Sequence, residues 1–279
     1  MTTLVQFQLD QSEVNCGMSY VFLLNSGRFF IIDGGYFTQG EDERLYRWLC
    51  SHCSGKPEIT GWFFSHAHQD HIGTFINMME HHRKDLNIHQ LIFNFQPLEL
   101  PESSSGWDIL SNDLATVRKF YEILDRYCGD IPILTPHTGD VYDYEELVVN
   151  VLYTHEDLTE KSTFNDYSTV IRVDTCGQKI LFLGDVYNKG SAMLLRNEDH
   201  IKCDILQVSH HGFNGATTEL YKAACASVAL WPTADYCIPV LTKREENRYL
   251  LERSEIKEHI FSGYGTKELQ LPYLCNSGE

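Results

Sequence analysis

Apolar residues in this chain come in short blocks of two kinds, and the order of the blocks predicts a mixed α/β architecture. Blocks at 5–9, 20–24, 29–33, 61–64, 89–95, 147–152, 168–173, 180–183, 205–208 and 228–230 read as strands, with closing strands at 260–261 and 269–271. Apolar positions 110, 114, 117, 120, 121 and 124 recur at helical spacing and predict a helix over 109–127. Further helices are expected over 42–50, 75–82 and 218–226, and Pro, Ser and Gly mark 96–106 as a loop. Strand groups alternating with helices in two halves suggest two facing sheets with helices outside. No repeat, low-complexity tract or linker breaks the order. The 279 residues, 43% hydrophobic and 12% aromatic, can bury one large core, so a single domain over 1–279 is expected.

The strand Gly61-Trp62-Phe63-Phe64 leads into His66-Ala67-His68-Gln69-Asp70-His71, four side chains of metal-ligand type within six residues. Strand alternation puts His66 and His68 on one face, where they can share an ion. Asp70 and His71 then lie past the strand end and can swing onto a second ion. Imidazole and carboxylate suit zinc, and less selectively manganese or iron. A histidine-rich polar turn is the plain alternative, and the spacing after a hydrophobic strand weighs against it. Two later strands also end in ligand-type residues, Leu181-Phe182-Leu183-Gly184-Asp185 and Ile205-Leu206-Gln207-Val208-Ser209-His210-His211-Gly212. A buried aspartate at 185 would be costly without a cation.

His66-x-His68-x-Asp70-His71 resembles the signature of the metallo-β-lactamase superfamily. Asp33-Gly34-Gly35 after the strand at 29–32, the strand ending at Asp185 and the strand ending at His210-His211 resemble its later segments, in order, from about residue 18 to about 212. The resemblance implies an α/β fold of αββα four-layer sandwich type with its chemistry at one edge. It implies that Asp185 bridges two ions and that His211 is the last imidazole ligand, with His210 facing substrate as general acid or as a hydrogen-bond donor to a phosphate oxygen; the reverse order of the pair stays open. Asp33 would lie beneath the ions and fix imidazole tautomers, unless Asp-Gly-Gly is an ordinary turn. Two dications about 3.5–4 Å apart would make hydroxide from a bridging water, with Asp70 and His210 as the expected catalytic residues.

One departure narrows the resemblance. Most members place a third His shortly before the bridging Asp, and Phe164-Asn165-Asp166-Tyr167-Ser168 contains none. His155 is the nearby imidazole and reads as a solvated loop residue. An Asn-Asp-x-Ser element with a later His-His-Gly is similar to the hydrolase-like domain of DNA-uptake competence proteins and to phosphorylcholine esterases, which implies phosphoester chemistry. Asn165, Asp166 and Ser168 are candidates to touch the first ion, bind substrate or hold water, or else they open an Asx turn. The expected activity is metal-hydroxide attack on a phosphodiester or small phosphoester. Alternatives are a lactonase, thioesterase or β-lactamase acting on a carbonyl, and a metal-binding module with little turnover.

Net charge bears on the partner. At −17, with 22 Lys and Arg in no dense patch, the chain repels polyanions, so a small-molecule ester is expected rather than nucleic acid. The N-terminus lacks a basic stretch followed by a long apolar one, and no apolar run approaches a membrane span, which points to the cytoplasm. Nine cysteines fit reduced thiols better than a disulfide framework, and Cys50-Ser51-His52-Cys53 lacks a second ligand pair. Gly73 is expected to permit a close turn after His71. Trp107 and Trp231-Pro232 could wall a substrate head group, although aromatics at such places more often belong to the core.

Overall fold

The structure is a computed structural model that describes residues 1–8, 17–37, 40–96, 111–252 and 255–275. Strands β1 (Thr3–Gln6), β2 (Ser19–Leu23), β3 (Phe29–Asp33), β4 (Glu58–Phe63), β5 (Asn87–Ile88), β6 (Leu91–Ile92) and β7 (Ile133–Leu134) form a first sheet. A second consists of β8 (Val141–Tyr144), β9 (Leu147–Tyr153), β10 (Val170–Thr175), β11 (Gln178–Phe182), β12 (Ile205–Gln207), β13 (Val228–Trp231) and β14 (Glu258–Phe261). The last strand, β15 (Lys267–Gln270), returns to pair with β1. The orders are β15-β1-β2-β3-β4-β6-β7, with β5 also on β4, and β14-β13-β12-β11-β10-β9-β8.

Strand side chains alternate faces, and here each face finds its own apolar layer. Phe29 and Ile31 pack with Leu45 and Leu49 of α1 (Glu41–Ser51), Phe75 and Met79 of α2 (Gln69–His82) and Phe120 of α3 (Ser111–Tyr127). Their neighbours Phe30 and Ile32 pack instead on Val149, Ile171, Ile180 and Ile205 of the facing sheet. On the far face of that sheet, Leu181 and Leu206 meet Leu194 of α4 (Asn188–Leu194), Ile201 of α5 (Glu198–Ile201) and Leu220 of α6 (Thr218–Ala224). After the short α7 (Ile238–Leu241), Leu250 of α8 (Glu245–Glu252) joins this outer cluster. Helix, sheet, sheet, helix is the αββα sandwich expected from the sequence.

Several boundaries differ from the expectation. The first strand pairs as Thr3↔Leu23 to Gln6↔Tyr20, two residues early, and Leu9 lies outside the described residues. The block at 89–95 yields only Leu91–Ile92 as strand, and beyond it the Asn94 side chain donates to the Pro136 carbonyl at 2.9 Å. Helix α2 starts at Gln69, six residues before the expected 75. Most of the 96–106 loop, Trp107 and Cys16 lie outside the described residues, and every described cysteine is a free thiol. No described helix is long and apolar enough to cross a membrane.

Gly73 corrects a local expectation. It sits inside α2 rather than in a turn, and a Cβ there would stand 2.5 Å from the Phe37 backbone nitrogen. The glycine therefore lets the segment after β3 lie directly on the helix that carries Asp70 and His71. Gly73→Ala is expected to lower stability by about 1–3 kcal/mol through this overpacking, read as a fall in melting temperature.

Candidate metal centre

Strands β3 and β4 run parallel, as do β11, β12 and β13, and the chain segments leaving their C-terminal ends meet between the sheets. Strand β4 stops at Phe63, so alternation does not align His66 and His68 as expected. The segment after it does so, pinned by the Ser65 amide on Asp33 Oδ1 at 2.7 Å and by the Thr169 amide on the Ser65 carbonyl at 2.8 Å. His66 Nε2 and His68 Nδ1 end 2.9 Å apart. His68 is also the residue before α2, which puts Asp70 and His71 in its first turn.

Two triads result. His66, His68 and Asp185 form one, and Asp70, His71 and His211 the other, each with ligand atoms within 4.8 Å of one another. Asp185 joins them, its Oδ2 lying 3.7 Å from His66 Nε2, 3.3 Å from His71 Nε2 and 3.4 Å from His211 Nε2. Asp70 Oδ2 is 3.2 Å from His211 Nε2. Ligands on a tetrahedral ion with bonds of about 2.0–2.1 Å sit about 3.3 Å apart, so the shorter of these separations have the right scale. His71 Nε2, His211 Nε2 and both Asp185 oxygens are buried with no hydrogen-bond partner. Buried polar atoms are rarely left so, and here they converge on each other, as atoms awaiting a cation do. The residues fit a metal site.

The partners behind the ligands select their tautomers. His71 Nδ1 lies 2.8 Å from Asp33 Oδ2, and His211 Nδ1 lies 2.9 Å from the Pro232 carbonyl. Each acceptor takes the Nδ1 proton and leaves Nε2 to face the cluster. Ser65 was not singled out by sequence, since a serine before a His-x-His is unremarkable by itself. Its hydroxyl donates to Asp33 Oδ2 at 2.7 Å and lies 3.1 Å from His66 Nδ1, tying the ends of β3 and β4 together. Gly184, with φ +54°, lets Asp185 turn inward, and a Cβ there would meet Ser168 Oγ at 2.9 Å. That same Ser168 Oγ accepts from the Asp185 amide at 3.0 Å, so Ser168 positions the aspartate from behind.

The tandem imidazoles separate. His211 is 2% exposed and inside the cluster, whereas His210 stands at its open side with Nε2 4.0 Å from Asp185 Oδ2. Both have left-handed backbone, φ 49° and 54°, which disfavours residues with a Cβ by about 1–2 kcal/mol each. The surroundings impose it: the Thr233 hydroxyl donates to the His211 carbonyl at 2.6 Å, and Asn247 Nδ2 to that of Gly212 at 2.6 Å.

Other candidates lie elsewhere. Asp166 is committed to structure, its Oδ1 accepting from the amides of Tyr187 and Gly190 at 2.8 and 2.9 Å and its Oδ2 from Ser162 Oγ at 2.7 Å. It thus holds the start of α4 and is not directed at an ion. Asn165 is 2% exposed with Oδ1 unpartnered, and its neighbour Phe164 stacks on His68 at 5.3 Å. His155 stays out of both triads and bonds Asn94 Oδ1 through Nε2 at 3.1 Å. Trp231 is no substrate wall: it is fully buried, stacks on Phe261 and donates to His259 Nδ1 at 3.1 Å. The Cys50–Cys53 segment joins no ligand group among the described residues.

Electrostatics predict proton release on metal binding. Burial pulls His211 down, but the carboxylates of Asp185 and Asp70 outweigh it and lift the imidazole to about 9. Burial likewise opposes His71, which Asp185 and Asp33 hold well above the usual histidine value. Protons therefore stand in for cations in the metal-free protein at neutral pH, and metal must displace them. Calorimetry in two buffers of different ionisation enthalpy should show proton release near pH 7.5 and weaker metal binding as pH falls. In the metal-free protein the raised His211 adds stability below about 6.5 that is lost as pH rises through about 9. Its melting temperature should fall across that window.

Comparison with known proteins places this geometry. The family profile of the metallo-beta-lactamase superfamily matches residues 14–224. ComE operon protein 3 of Bacillus subtilis (strain 168) is 25% identical over 165 residues, 59% of this chain but 18% of that protein, so the chain spans a minor part of this relative. Among solved structures, the metallo-beta-lactamase fold protein YhfI from Bacillus subtilis is similar with a TM-score of 0.56 at 12% identity, over 96% of this chain and all of that one. A diphosphatase from the PhnP family is similar with a TM-score of 0.55 at 11% identity, over 96% and 98% of the two chains. The chain belongs to the metallo-β-lactamase superfamily.

Proposed function

We propose that the protein is a metal-dependent hydrolase of a phosphodiester or small phosphoester, working from two divalent cations with zinc as the first expectation. The observation that carries this reading is the convergence of the unpartnered, buried Nε2 atoms of His71 and His211 on Oδ2 of Asp185, at 3.3 and 3.4 Å. Divalent cations bound there would supply the charge that polarises an ester and makes a nucleophile of water at neutral pH. His66 and His68 would hold one and Asp70, His71 and His211 the other, with the Asp185 carboxylate available to both. Asp33, Ser65 and the Pro232 carbonyl keep the imidazoles aimed.

His210 is left for proton transfer. Its Nδ1 proton is taken by the Asn214 carbonyl at 2.8 Å, so Nε2 is the atom that faces substrate. Burial holds this imidazole below the usual histidine value, so at neutral pH Nε2 begins as an acceptor. From there it can take a proton and hand it to the departing oxygen. A phosphoester is favoured by the likeness to the competence protein and by a diphosphatase of the same fold. A net charge of −17 favours a small substrate over nucleic acid, and free thiols favour the cytoplasm.

The test is turnover of bis(p-nitrophenyl) phosphate, nitrocefin and a homoserine lactone by zinc- or manganese-loaded protein. Hydrolysis of the phosphodiester alone is expected. Turnover confined to nitrocefin or the lactone moves the reading to carbonyl chemistry, and bound metal with no turnover makes the chain a metal-binding module.

A further inference from the structure

Beside His210 the surface folds into a cavity of about 400 Å³. Its wall includes Tyr187, whose ring centroid lies 5.0 Å from that of His210, and Asn214, whose carbonyl takes the His210 Nδ1 proton. His210 thus adjoins two residues of this wall while its Nε2 lies 4.0 Å from Asp185 Oδ2. Asp166 stiffens the same wall through the Tyr187 amide.

Arg244, just before α8, lines the cavity with its Nε buried and without a hydrogen-bond partner. Among the described residues no carboxylate lies within 4.0 Å of it; Arg118, Arg126 and Arg196 are likewise without an ion pair there, but Arg244 is the one that lines this cavity. In a chain of net charge −17 carboxylates are plentiful, so an arginine left unpaired in a cavity has a donor fork with no acceptor. Thr217 adds a second donor, because its Oγ1 accepts from the Leu220 amide at 3.3 Å and keeps its own proton to give. Glu246 and the exposed Glu219 line the same space and set a limit: a chain of phosphates would meet two carboxylates, while one compact anion could reach Arg244.

We propose that this cavity is a subsite for a single compact oxyanion, a carboxylate or a phosphate, carried by the substrate beyond its scissile ester. Its link to turnover rests on the phosphoester reading; anion binding does not.

The test titrates sulfate and acetate, as separate probes at fixed ionic strength, into metal-loaded wild-type, Arg244→Gln and Arg244→Lys proteins in a calorimeter. Whichever probe binds should lose about tenfold in affinity in Arg244→Gln and less in Arg244→Lys, which keeps the charge without the fork. The two probes distinguish a phosphate-like from a carboxylate partner. Wild-type protein that binds neither, or binding indifferent to residue 244 as for an anion held at the metals alone, overturns the subsite. In turnover, KM for a p-nitrophenyl phosphodiester bearing an extra phosphate or carboxylate, relative to KM for bis(p-nitrophenyl) phosphate, should rise about tenfold in Arg244→Gln. If no phosphodiester is hydrolysed while anion affinity still depends on Arg244, the phosphoester reading falls and the subsite stands.

Discussion

Asp185→Asn protein is expected to lose more than about a thousandfold in turnover, ~4 kcal/mol of transition-state stabilisation, and to retain less metal than wild type. The carboxylate belongs to one triad and its Oδ2 lies 3.3 and 3.4 Å from two imidazoles of the other, and the amide keeps its size while giving up its charge and one of its two oxygens. Folding should survive. Neither side-chain oxygen of Asp185 makes a hydrogen bond, and the loop is held through the backbone by Ser168 Oγ at 3.0 Å. Metal analysis, circular dichroism and kinetics on one preparation check this. Full activity with intact metal would refute the bridging role.

The second large effect separates the adjacent histidines. His210→Asn should cut kcat by about 10²–10⁴-fold with metal content unchanged, because an amide cannot relay a proton. His211→Asn should instead deplete the metal. Asparagine is the informative replacement, since it tolerates the left-handed backbone that both positions adopt, at φ 49° and 54°. The backbone cost is then the same in both variants, and metal content reports on the side chain. If His210→Asn loses metal while His211→Asn keeps it, the roles are exchanged.

Much of the fold could be read from the linear order of residues because its layers are local patterns. Phe29 through Ile32 alternate between the helix-covered face and the facing sheet, and Leu114 through Leu124 repeat at helical spacing. Boundaries were less legible. Helix α2 begins at Gln69 because its first turn is stabilised by tertiary partners, with the Gly34 amide on the His71 carbonyl at 2.8 Å and Gly73 against the Phe37 backbone. Periodicity counted from Phe75 cannot register such contacts. The shift matters for the site, since it places Asp70 and His71 on a helix end instead of a turn.

What the amino-acid sequence determined by itself was the inventory of candidate ligands and the strand ends that deliver them: His66, His68, Asp70, His71, Asp185 and the 210–211 pair, each following a short apolar run. Only the tertiary structure decided which of the pair enters the cluster, that Asp166 anchors α4, that Trp231 is core, and that Arg244 faces a cavity without an ion-pair partner. The physical reason is reach. Residue type and periodicity act over a few neighbouring positions, whereas the aim of an imidazole is set by an acceptor far along the chain, such as Pro232 for His211 or Asp33 for His71. Those partners meet only when the two sheets pack and bring their strand ends to one place.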